Sequence, residues 1–322
     1  MVRSPIVVIF NPTKVDDVDD ARRVVNGAAG DAGLDEPAWV ETTEDDPGFG
    51  QARAALDDRA ELVCVLGGDG TVRAVAQELM GTAVPLGLLP AGTGNLLARN
   101  VEAPVDDLAS AARVAFTGTD RVVDAGWLVL QPRAKQLDEA KPAAADNVHA
   151  FTVMAGLGFD ADMLGDAPEG VKAKAGWAAY VASGARHLTD DSFGLEVVVD
   201  GELSSYGAAR TVVVGNCGEL TAGMVLLPDA ELDDGLLDVA ALTPTAIRDW
   251  ADVAARVLAG RDDGPALDRR QGRRVLLRAE PPQRVEVDGD VLEGVATEVL
   301  LVIEPGGLTV RVPGLGTRIA RP

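Results

Sequence analysis

The sequence predicts a two-domain protein, with an N-terminal α/β domain built on a doubly wound, mostly parallel sheet and a β-rich, sandwich-like C-terminal domain. The chain has 322 residues, more than the ~100–200 residues of one typical domain. Up to about residue 124, apolar runs of strand length alternate with segments of helical periodicity. Beyond that point, strand-like runs follow one another with few helical segments between them. We therefore expect domains over residues 1–125 and 126–322, and the terminal segment could return to the first domain.

The N-terminal elements follow from apolar runs that end at turn residues. The predicted strands are Ile6–Phe10, Ala38–Glu41, Leu62–Leu66 and Pro85–Leu89. Helices are predicted over residues 15–32, 47–58, 72–79 and 96–99. Strands and helices that alternate in this way form parallel sheets, whose ligands bind beyond the carboxyl ends of the strands.

The C-terminal half is predicted to consist mainly of strands. The predicted strands are Leu195–Val199, Arg210–Gly215, Leu236–Leu242, Val275–Ala279, Arg284–Val287 and Glu298–Ile303. Helices are predicted over residues 171–188 and 245–259, and residues 131–147 are predicted to form a hairpin loop or a partly ordered excursion.

The composition is that of a folded globular protein, with 47% hydrophobic and 25% charged residues. The 51 acidic and 29 basic residues give a net charge of −22. Such a surface repels nucleic-acid phosphates and anionic lipid headgroups. A nucleic-acid partner is therefore excluded, and any membrane contact has to be local.

The chain lacks an apolar stretch of membrane-spanning length and a signal-peptide core before Pro5. We expect a cytoplasmic protein that could also sit peripherally at the inner face of the membrane. Cys64 and Cys217 are far apart in sequence, which favours buried, reduced thiols over a disulfide. His149 and His187 are the only histidines, which argues against a metal–histidine catalytic centre.

A first glycine loop, Gly67–Thr71, follows a predicted strand and precedes a predicted helix. Gly67, Gly68 and Gly70 let the backbone turn sharply and bring its N–H groups against an anion, and the helix N-terminus adds positive potential. Asp69 is placed to bind Mg²⁺ or a water that bridges phosphates. The alternative is a tight turn in which Asp69 caps the helix.

A second glycine loop, Gly92–Asn95, repeats the strand, turn and helix arrangement 25 residues later. Asn11 and Thr13 follow the first strand and would line the same edge of the sheet. Three loops converging there favour a nucleotide site, although each alone could be a turn or a cap.

These motifs resemble the catalytic domain of the diacylglycerol kinase family, bacterial lipid kinases included. The resemblance rests on Asn11-Pro12-Thr13, on the first glycine loop and on the run Pro85–Asn95, in matching order and spacing. It implies that ATP and Mg²⁺ are bound and that the γ-phosphate passes to a lipid hydroxyl. The first glycine loop also occurs in NAD kinases and phosphofructokinases, so that loop alone does not decide the acceptor.

The acidic segment Leu227–Val239 resembles the segment of the same family that binds a structural Mg²⁺. By position, Asp234 would supply a carboxylate, and Glu231 and Leu236 would supply backbone carbonyls. Oxygen ligands suit this hard cation. The alternative is an Asp-rich turn between strands.

Val287-Asp288-Gly289-Asp290 resembles the family's late Asp-Gly-Glu motif. The resemblance implies that Asp290 is the general base that deprotonates the acceptor hydroxyl, although its side chain is one methylene shorter than Glu. Asp288 is the fallback base. The alternative is a hairpin turn, since Asp-Gly is a strong hairpin signal.

Two positions depart from the family pattern or leave it ambiguous. Arg73-Ala74 stands where the family usually has Asn-Glu, which removes a polar ATP contact at position 74. The family's adenine-side threonine corresponds to Thr43 or Thr42, and we favour Thr43 because an acidic residue follows it.

The resemblance implies a lipid kinase that meets its substrate at a membrane surface and that could form a homodimer. Two rival functions stay open: a kinase for NAD or a soluble polyol, and a catalytically silent nucleotide- or lipid-binding protein. The predicted helix over residues 171–188 could rest on a bilayer, but we favour core packing against the β-rich domain as the explanation of its apolar stripe.

Overall fold

The computed structural model describes residues 5–137, 142, 145–158, 192–219, 225–258 and 264–314. The chain divides into two units: Met1–Ala125 with Gly306–Pro322, and Gly126–Pro305. The terminal segment thus belongs to the first unit, and the chain passes between the units inside two long strands.

The first unit alternates strands and helices. Its strands are β1 Ile6–Phe10, β2 Ala38–Glu41, β3 Leu62–Gly67 and β4 Leu86–Pro90. Its helices are α1 Val18–Asp31, α2 Phe49–Asp57, α3 Asp69–Leu79, α4 Leu96–Asn100 and α5 Leu108–Thr117, and a 3-10 turn spans Pro12–Lys14.

The four strands form a parallel sheet in the order β2-β1-β3-β4. Every residue of β1 and β3 is buried, as expected for central strands covered on both faces. Helices α1 and α5 share one hydrophobic cluster with alternate residues of β1 and β3. Helices α2 and α3 pack against each other, and α3 contacts β3 and β4.

Capping explains where these helices begin. The predicted helix over residues 15–32 starts only at Val18, because the Asp17 carboxylate accepts a hydrogen bond from the Asp20 N–H and acts as the N-cap. Helix α5 was not predicted. It begins after Asp107, whose two carboxylate oxygens accept from the Ala109 and Ser110 N–H groups.

The second unit consists mainly of antiparallel strands. They are β5 Thr119–Leu130, β6 Val148–Phe151, β7 Met154–Leu157, β8 Phe193–Val199, β9 Glu202–Ala209, β10 Thr211–Gly215, β11 Leu237–Leu242, β12 Leu267–Gly272, β13 Arg274–Gln283, β14 Val285–Val287, β15 Asp290–Val291 and β16 Ala296–Val312. Helix α6 spans Ile247–Leu258. The chain crosses between the units within β5 and within β16, and the far end of β16 pairs in parallel with β4 through Val310 and Leu86.

The strands of this unit form two layers. One runs in the order β16-β13-β8-β9, with β5 paired to β16 and β6, and the other runs β12-β11-β10-β7-β14-β15. A single cluster of buried side chains joins both layers, including Leu195, Leu277 and Leu301 from one and Val214, Val239 and Val287 from the other. This is the arrangement of a β-sandwich.

The predicted fold class is confirmed. The structure adds strands that the apolar pattern did not indicate, namely β5, β6, β7, β9, β12 and β15. Residues 131–137 and 145–147 belong to the loop between the paired strands β5 and β6, as predicted. The predicted helix over residues 171–188 lies outside the described residues, as does His187. Cys64 and Cys217 are buried and free.

No helix in the described ranges is both long enough and apolar enough to cross a bilayer.

Candidate active site

Loops from three neighbouring strands meet at the carboxyl edge of the N-terminal sheet. Asn11 directly follows β1, and its N–H donates to the Leu66 carbonyl of β3 (3.0 Å). Its side-chain amide donates to the Thr71 hydroxyl (3.4 Å), and its Oδ1 accepts from the N–H (3.0 Å) and hydroxyl (2.8 Å) of Thr13. Pro12 opens the 3-10 turn that makes this bend. The structure therefore brings Asn11 and Thr13 to the start of helix α3, beside the first glycine loop.

Helix α3 begins inside the first glycine loop, earlier than the sequence predicts. Gly67 ends strand β3, Gly68 is the N-cap residue in an extended conformation (φ −96°, ψ −174°), and α3 starts at Asp69. Gly70 therefore lies in the first turn of the helix and lacks the positive φ of a turn glycine. Gly70 thus belongs to the helix, and the acidic residue at position 69 favours a helix start at this point.

Gly70 contributes a backbone N–H group at the start of α3. The first intrahelical hydrogen bond of α3 runs from the Val72 N–H to the Gly68 carbonyl (3.1 Å). The N–H groups of residues 69–71 precede this bond and have no acceptor within the helix. Since Gly70 is only half-buried and carries no side chain, an anion could approach its N–H directly.

The two glycine loops lie in contact with each other. The Ala91 N–H donates to the Gly67 carbonyl (3.0 Å). A Cβ atom on Gly92 would lie 2.7 Å from the Gly68 Cα, closer than real Cβ contacts come. Glycine at position 92 is thus required by the close approach of two backbones.

Asp69 joins the two loops. Its carboxylate accepts hydrogen bonds from the N–H groups of Asn95 (2.9 Å) and Leu96 (2.6 Å), at the start of α4. A Cβ atom on Gly94 would come within 2.5 Å of the same carboxylate, so glycine is needed there as well. Asp69 therefore stabilises the neighbouring helix α4 across 26 residues of sequence, a contact that sequence reasoning missed.

Asn95 fixes the second glycine loop from within. It adopts the left-handed conformation with φ of 50°. Its Oδ1 accepts from the Gly92 N–H (3.1 Å) and its Nδ2 donates to the Gly92 carbonyl (2.8 Å). The Gly92 N–H is thus engaged inside the loop, and the Asn95 N–H is engaged by the Asp69 carboxylate. The Thr93 and Gly94 amides and the first-turn amides of α3 are the donors suited to an anion.

The space between the loops is small. The crevice lined by Gly67, Asp69, Pro90 and Asn95 has a volume of about 10 Å³, which is room for roughly one water. A phosphate group does not fit between the paired loops.

Thr42 and Thr43 follow β2 at the same edge of the sheet, but they differ in exposure. Thr42 is buried, and its N–H donates to the Phe10 carbonyl (2.9 Å). Thr43 is exposed, and its hydroxyl accepts from the Asp46 N–H (3.1 Å) within a turn. Of the two, only Thr43 has a side chain at the surface.

Ala74 takes part in packing between helices. It is 1% exposed on α3. A Cβ atom on Gly48, which precedes α2, would lie 3.5 Å from the Ala74 Cβ. The alanine at this position thus belongs to the α2–α3 contact.

In the second unit, the two acidic motifs lie at the same end of one sheet. Gly215 pairs with both Asp238 and Met154, and Val287 pairs with both Ala155 and Asp290. The acidic segment before β11 and the Asp288-Gly289 turn are therefore separated by the width of three strand spacings, about 14 Å.

Asp288 and Gly289 form a two-residue hairpin turn with φ values of 49° and 91°. The Asp288 carboxylate is 2% exposed and accepts four hydrogen bonds. The donors are the Thr152 N–H (2.8 Å), the Thr152 hydroxyl (3.0 Å), the Val153 N–H (2.8 Å) and the Met154 N–H (2.9 Å). Because its lone pairs are committed to these donors, Asp288 serves the fold, which argues against the fallback role as a base.

Asp290 follows the turn and is exposed. Glu286 precedes it on β14 and is 3% exposed. Burial, followed by the charges of Asp288 and Asp290, raises the pKa of Glu286 to about 8. Sequence reasoning missed Glu286, although a glutamate between two valines in a buried strand is a signal that could have found it.

The acidic segment ends in a turn that leads into β11. Glu231 and Asp234 are exposed, and the Asp234 carboxylate accepts from the Leu236 N–H (2.9 Å). Asp238 is 6% exposed and accepts from the Gln271 amide (2.9 Å), while its Oδ2 has no hydrogen-bond partner among the described residues. Burial raises the pKa of Asp238 to about 6.

The donor set of this segment fits a hard cation. By the family resemblance, Asp234 would supply a carboxylate and Glu231 and Leu236 would supply backbone carbonyls. The Asp238 oxygen that lacks a partner among the described residues is buried two residues beyond Leu236. The described residues contain no group of three or more His, Cys, Asp or Glu side chains that could hold a metal, so carbonyl ligands would be essential here.

Comparison with known proteins identifies the family. A family model described as the diacylglycerol kinase catalytic domain matches residues 5–128. A second, described as the YegS C-terminal NAD kinase beta sandwich-like domain, matches residues 152–312, half of the chain.

Named relatives agree with these models. A protein named "Probable lipid kinase YegS-like" from Pseudomonas aeruginosa (strain UCBPP-PA14) is 31% identical over 252 residues, which are 77% of this chain and 75% of that protein. Diacylglycerol kinase from Bacillus subtilis (strain 168) is 25% identical over 263 residues, 80% of each chain. A Synechocystis protein of unassigned function is 25% identical, and the match spans only 55% of its length.

The fold also matches a solved structure. The crystal structure of a diacylglycerol kinase from Bacillus anthracis str. Sterne superposes with a TM-score of 0.68 at 19% identity, covering 95% of this chain and 96% of that one. The chain therefore belongs to the diacylglycerol kinase family, in its YegS-like group, and is a phosphotransferase with an alcohol group as acceptor.

Proposed function

We propose that this kinase transfers the γ-phosphate of ATP to the hydroxyl of a lipid, of the diacylglycerol or sphingoid type. The observation that carries the proposal is the pair of touching glycine loops linked by Asp69. The names of the relatives, a lipid kinase and a diacylglycerol kinase, support the lipid acceptor.

The phosphates of ATP would be bound by the first-turn amides of α3, that of Gly70 included, and by the Thr93 and Gly94 amides. Asn11, Pro12 and Thr13 would lie at the margin of this site, and Thr43 would lie on the adenine side. Mg²⁺ bound near Asp69 would supply charge neutralisation to the transferred group. Asp69 has a second task in this scheme, since it also fixes the loop that provides half of the amides.

Asp290 would act as the general base. The acceptor hydroxyl gives its proton to the Asp290 carboxylate while its oxygen attacks the γ-phosphorus in line. The bond from that phosphorus to the bridging oxygen breaks, and ADP leaves with the bond electrons. Glu231, Asp234 and Leu236 would hold a second, structural Mg²⁺ that fixes the acidic segment.

The acceptor would be met at a membrane surface through a local, peripheral contact. Broad electrostatic docking is opposed by the net charge of −22. We also propose that the protein works in the cytoplasm at the inner face of the membrane, and that it could do so as a homodimer.

The test is transfer of labelled γ-phosphate from ATP, with Mg²⁺, to a panel of lipids in mixed micelles. The panel would include diacylglycerol, ceramide and sphingosine, with NAD, glycerol and a lipid-free reaction as controls. Label in one lipid establishes the reaction and its acceptor together. Label in NAD or glycerol alone would instead establish a kinase for a soluble acceptor, and ATP binding without any labelled product would establish a silent binder.

A further inference from the structure

Three carboxyl groups occur within five residues around the hairpin turn of β14 and β15. Asp288 is committed to four donors, and Asp290 is exposed. Glu286 takes no part in the proposed mechanism. It is buried, and it lacks the four hydrogen-bond donors that stabilise the Asp288 carboxylate. A buried acid beside a proposed base calls for a physical explanation.

The position of Glu286 follows from the strand. Val285 and Val287 point into the core of the sandwich, so Glu286 lies on the opposite face of the sheet. Its cross-strand neighbours are Gly156 on β7 and Val291 on β15. Neither carries a charge, and a Cβ atom on Gly156 would overlap the Val212 carbonyl oxygen, so no side chain can be placed there to compensate an anion.

Among the described residues, the charged groups that act on Glu286 are both acidic, namely Asp288 and Asp290, while the Gly289 N–H is its hydrogen-bond donor. An ionised Glu286 would be a third negative charge in this cluster, desolvated by burial. Charged groups in that situation neutralise by keeping the proton. The pKa of about 8 agrees with this placement.

We propose that Glu286 is a positioning residue for Asp290. Glu286 occupies its buried site as the neutral acid, and this allows the turn to present Asp290 as an ionised base. The inference rests on the proposed function. Loss of the Glu286 proton would set a second anion against Asp290. It would also draw the buried carboxylate towards water, which would disturb the turn.

Thermal unfolding tests the neutral state without reference to activity. The variant Glu286→Gln resembles the protonated acid but cannot ionise. Below pH 4.5, the ordinary pKa, folded and unfolded wild type both hold the proton. As the pH rises from 4.5 to about 8, the unfolded chain loses a proton that the folded chain keeps, so the wild type loses stability relative to the variant.

The melting temperature of Glu286→Gln should therefore exceed that of the wild type by an amount that grows from about pH 5 to about pH 8 and then stays constant. Glu293→Gln is the matched control, because Glu293 is exposed in the following loop. Its melting temperature should track the wild type. A pH-independent difference, or a wild type that gains stability over the variant as the pH rises, overturns the proposal.

Phosphoryl transfer tests the positioning role. Glu286→Gln should retain transfer at neutral pH, and its kcat/KM should continue above about pH 8, where that of the wild type and of Glu293→Gln declines. An identical alkaline decline in all three proteins refutes the positioning role even if the melting curves behave as expected. Absence of transfer in all three at every pH refutes the proposed function and with it this role, while the melting curves still decide the protonation state.

Discussion

At the scale of single residues, Asp69 and Asp107 form a natural pair for experiment. Each uses its two carboxylate oxygens to accept from two successive N–H groups at a helix start, Asp69 at α4 and Asp107 at α5. Asp69→Asn should lower the free energy of unfolding by about 1 kcal/mol, because one acceptor becomes a donor. Asp107→Asn should change it little, because Asn and Asp are about equally good N-cap residues. Only Asp69→Asn should also weaken ATP binding, measured by calorimetry, since α5 carries no proposed phosphate contact. Equal ATP affinity in the two variants would remove Asp69 from the nucleotide site.

Asp288 and Asp290 make a second contrast at this scale. Asp288→Asn places an amide NH₂ against backbone N–H donors in a buried site and should cost about 1–3 kcal/mol of stability or more. Asp290→Asn changes an exposed side chain and should leave the melting temperature unchanged. Thermal unfolding of both variants would measure these two effects on stability. A destabilised Asp290→Asn beside an unaffected Asp288→Asn would reverse the roles given to the two carboxylates.

At the scale of elements, the contact between the glycine loops can be tested by adding one methyl group. Gly92→Ala would place a Cβ 2.7 Å from the Gly68 Cα and should separate the loops, with a loss of ATP affinity and of transfer. Gly27→Ala on α1 is the control, because a Cβ there meets nothing within 4 Å. That substitution should stabilise the helix by roughly 0.5–1 kcal/mol and leave ATP binding unchanged. Unaltered ATP affinity in Gly92→Ala would show that the loop contact is not needed.

Some features of the glycine loops and of α3 could be predicted from local sequence, and others could not. The positions of both glycine loops were predictable, because an apolar strand before a glycine cluster fixes the carboxyl end of a parallel strand. The exact start of α3 was not predictable, since a glycine such as Gly70 is suited both to a loop turn and to the first turn of a helix. The Asp69 contact with Asn95 and Leu96 depends on the register that brings β3 beside β4, which local sequence does not reveal.

Two short or polar strands escaped the apolar pattern for physical reasons. Strand β7 is only four residues long and includes Gly156. Strand β12 lies at the edge of its sheet and carries Arg269 and Arg270. Edge strands are covered on fewer sides, so their apolar periodicity is weak.

At the scale of the whole molecule, the family and the fold class could be predicted because three motifs occur in the right order over the first 100 residues and an acidic motif follows in the β-rich half. The paths of β5 and β16, which each belong to both units, could not be predicted from the sequence. Nothing in the local apolar pattern of a strand indicates which sheet its far end will join. The place of Glu286 between two valines was visible in the sequence, but its burial depends on pairing with β7, which is distant in sequence, and with β15, which is very short.

The central claim is that Asp290 takes the proton of a lipid hydroxyl while the paired loops hold ATP. It is tested most directly by the rate of γ-phosphate transfer to the best lipid of the panel, measured for the wild type and Asp290→Asn at saturating ATP. The account predicts clear transfer by the wild type and a loss of about 10²–10⁴-fold in kcat for Asp290→Asn, with ATP affinity and melting temperature preserved. Equal kcat in the two proteins, or a wild type that labels no lipid, would contradict it.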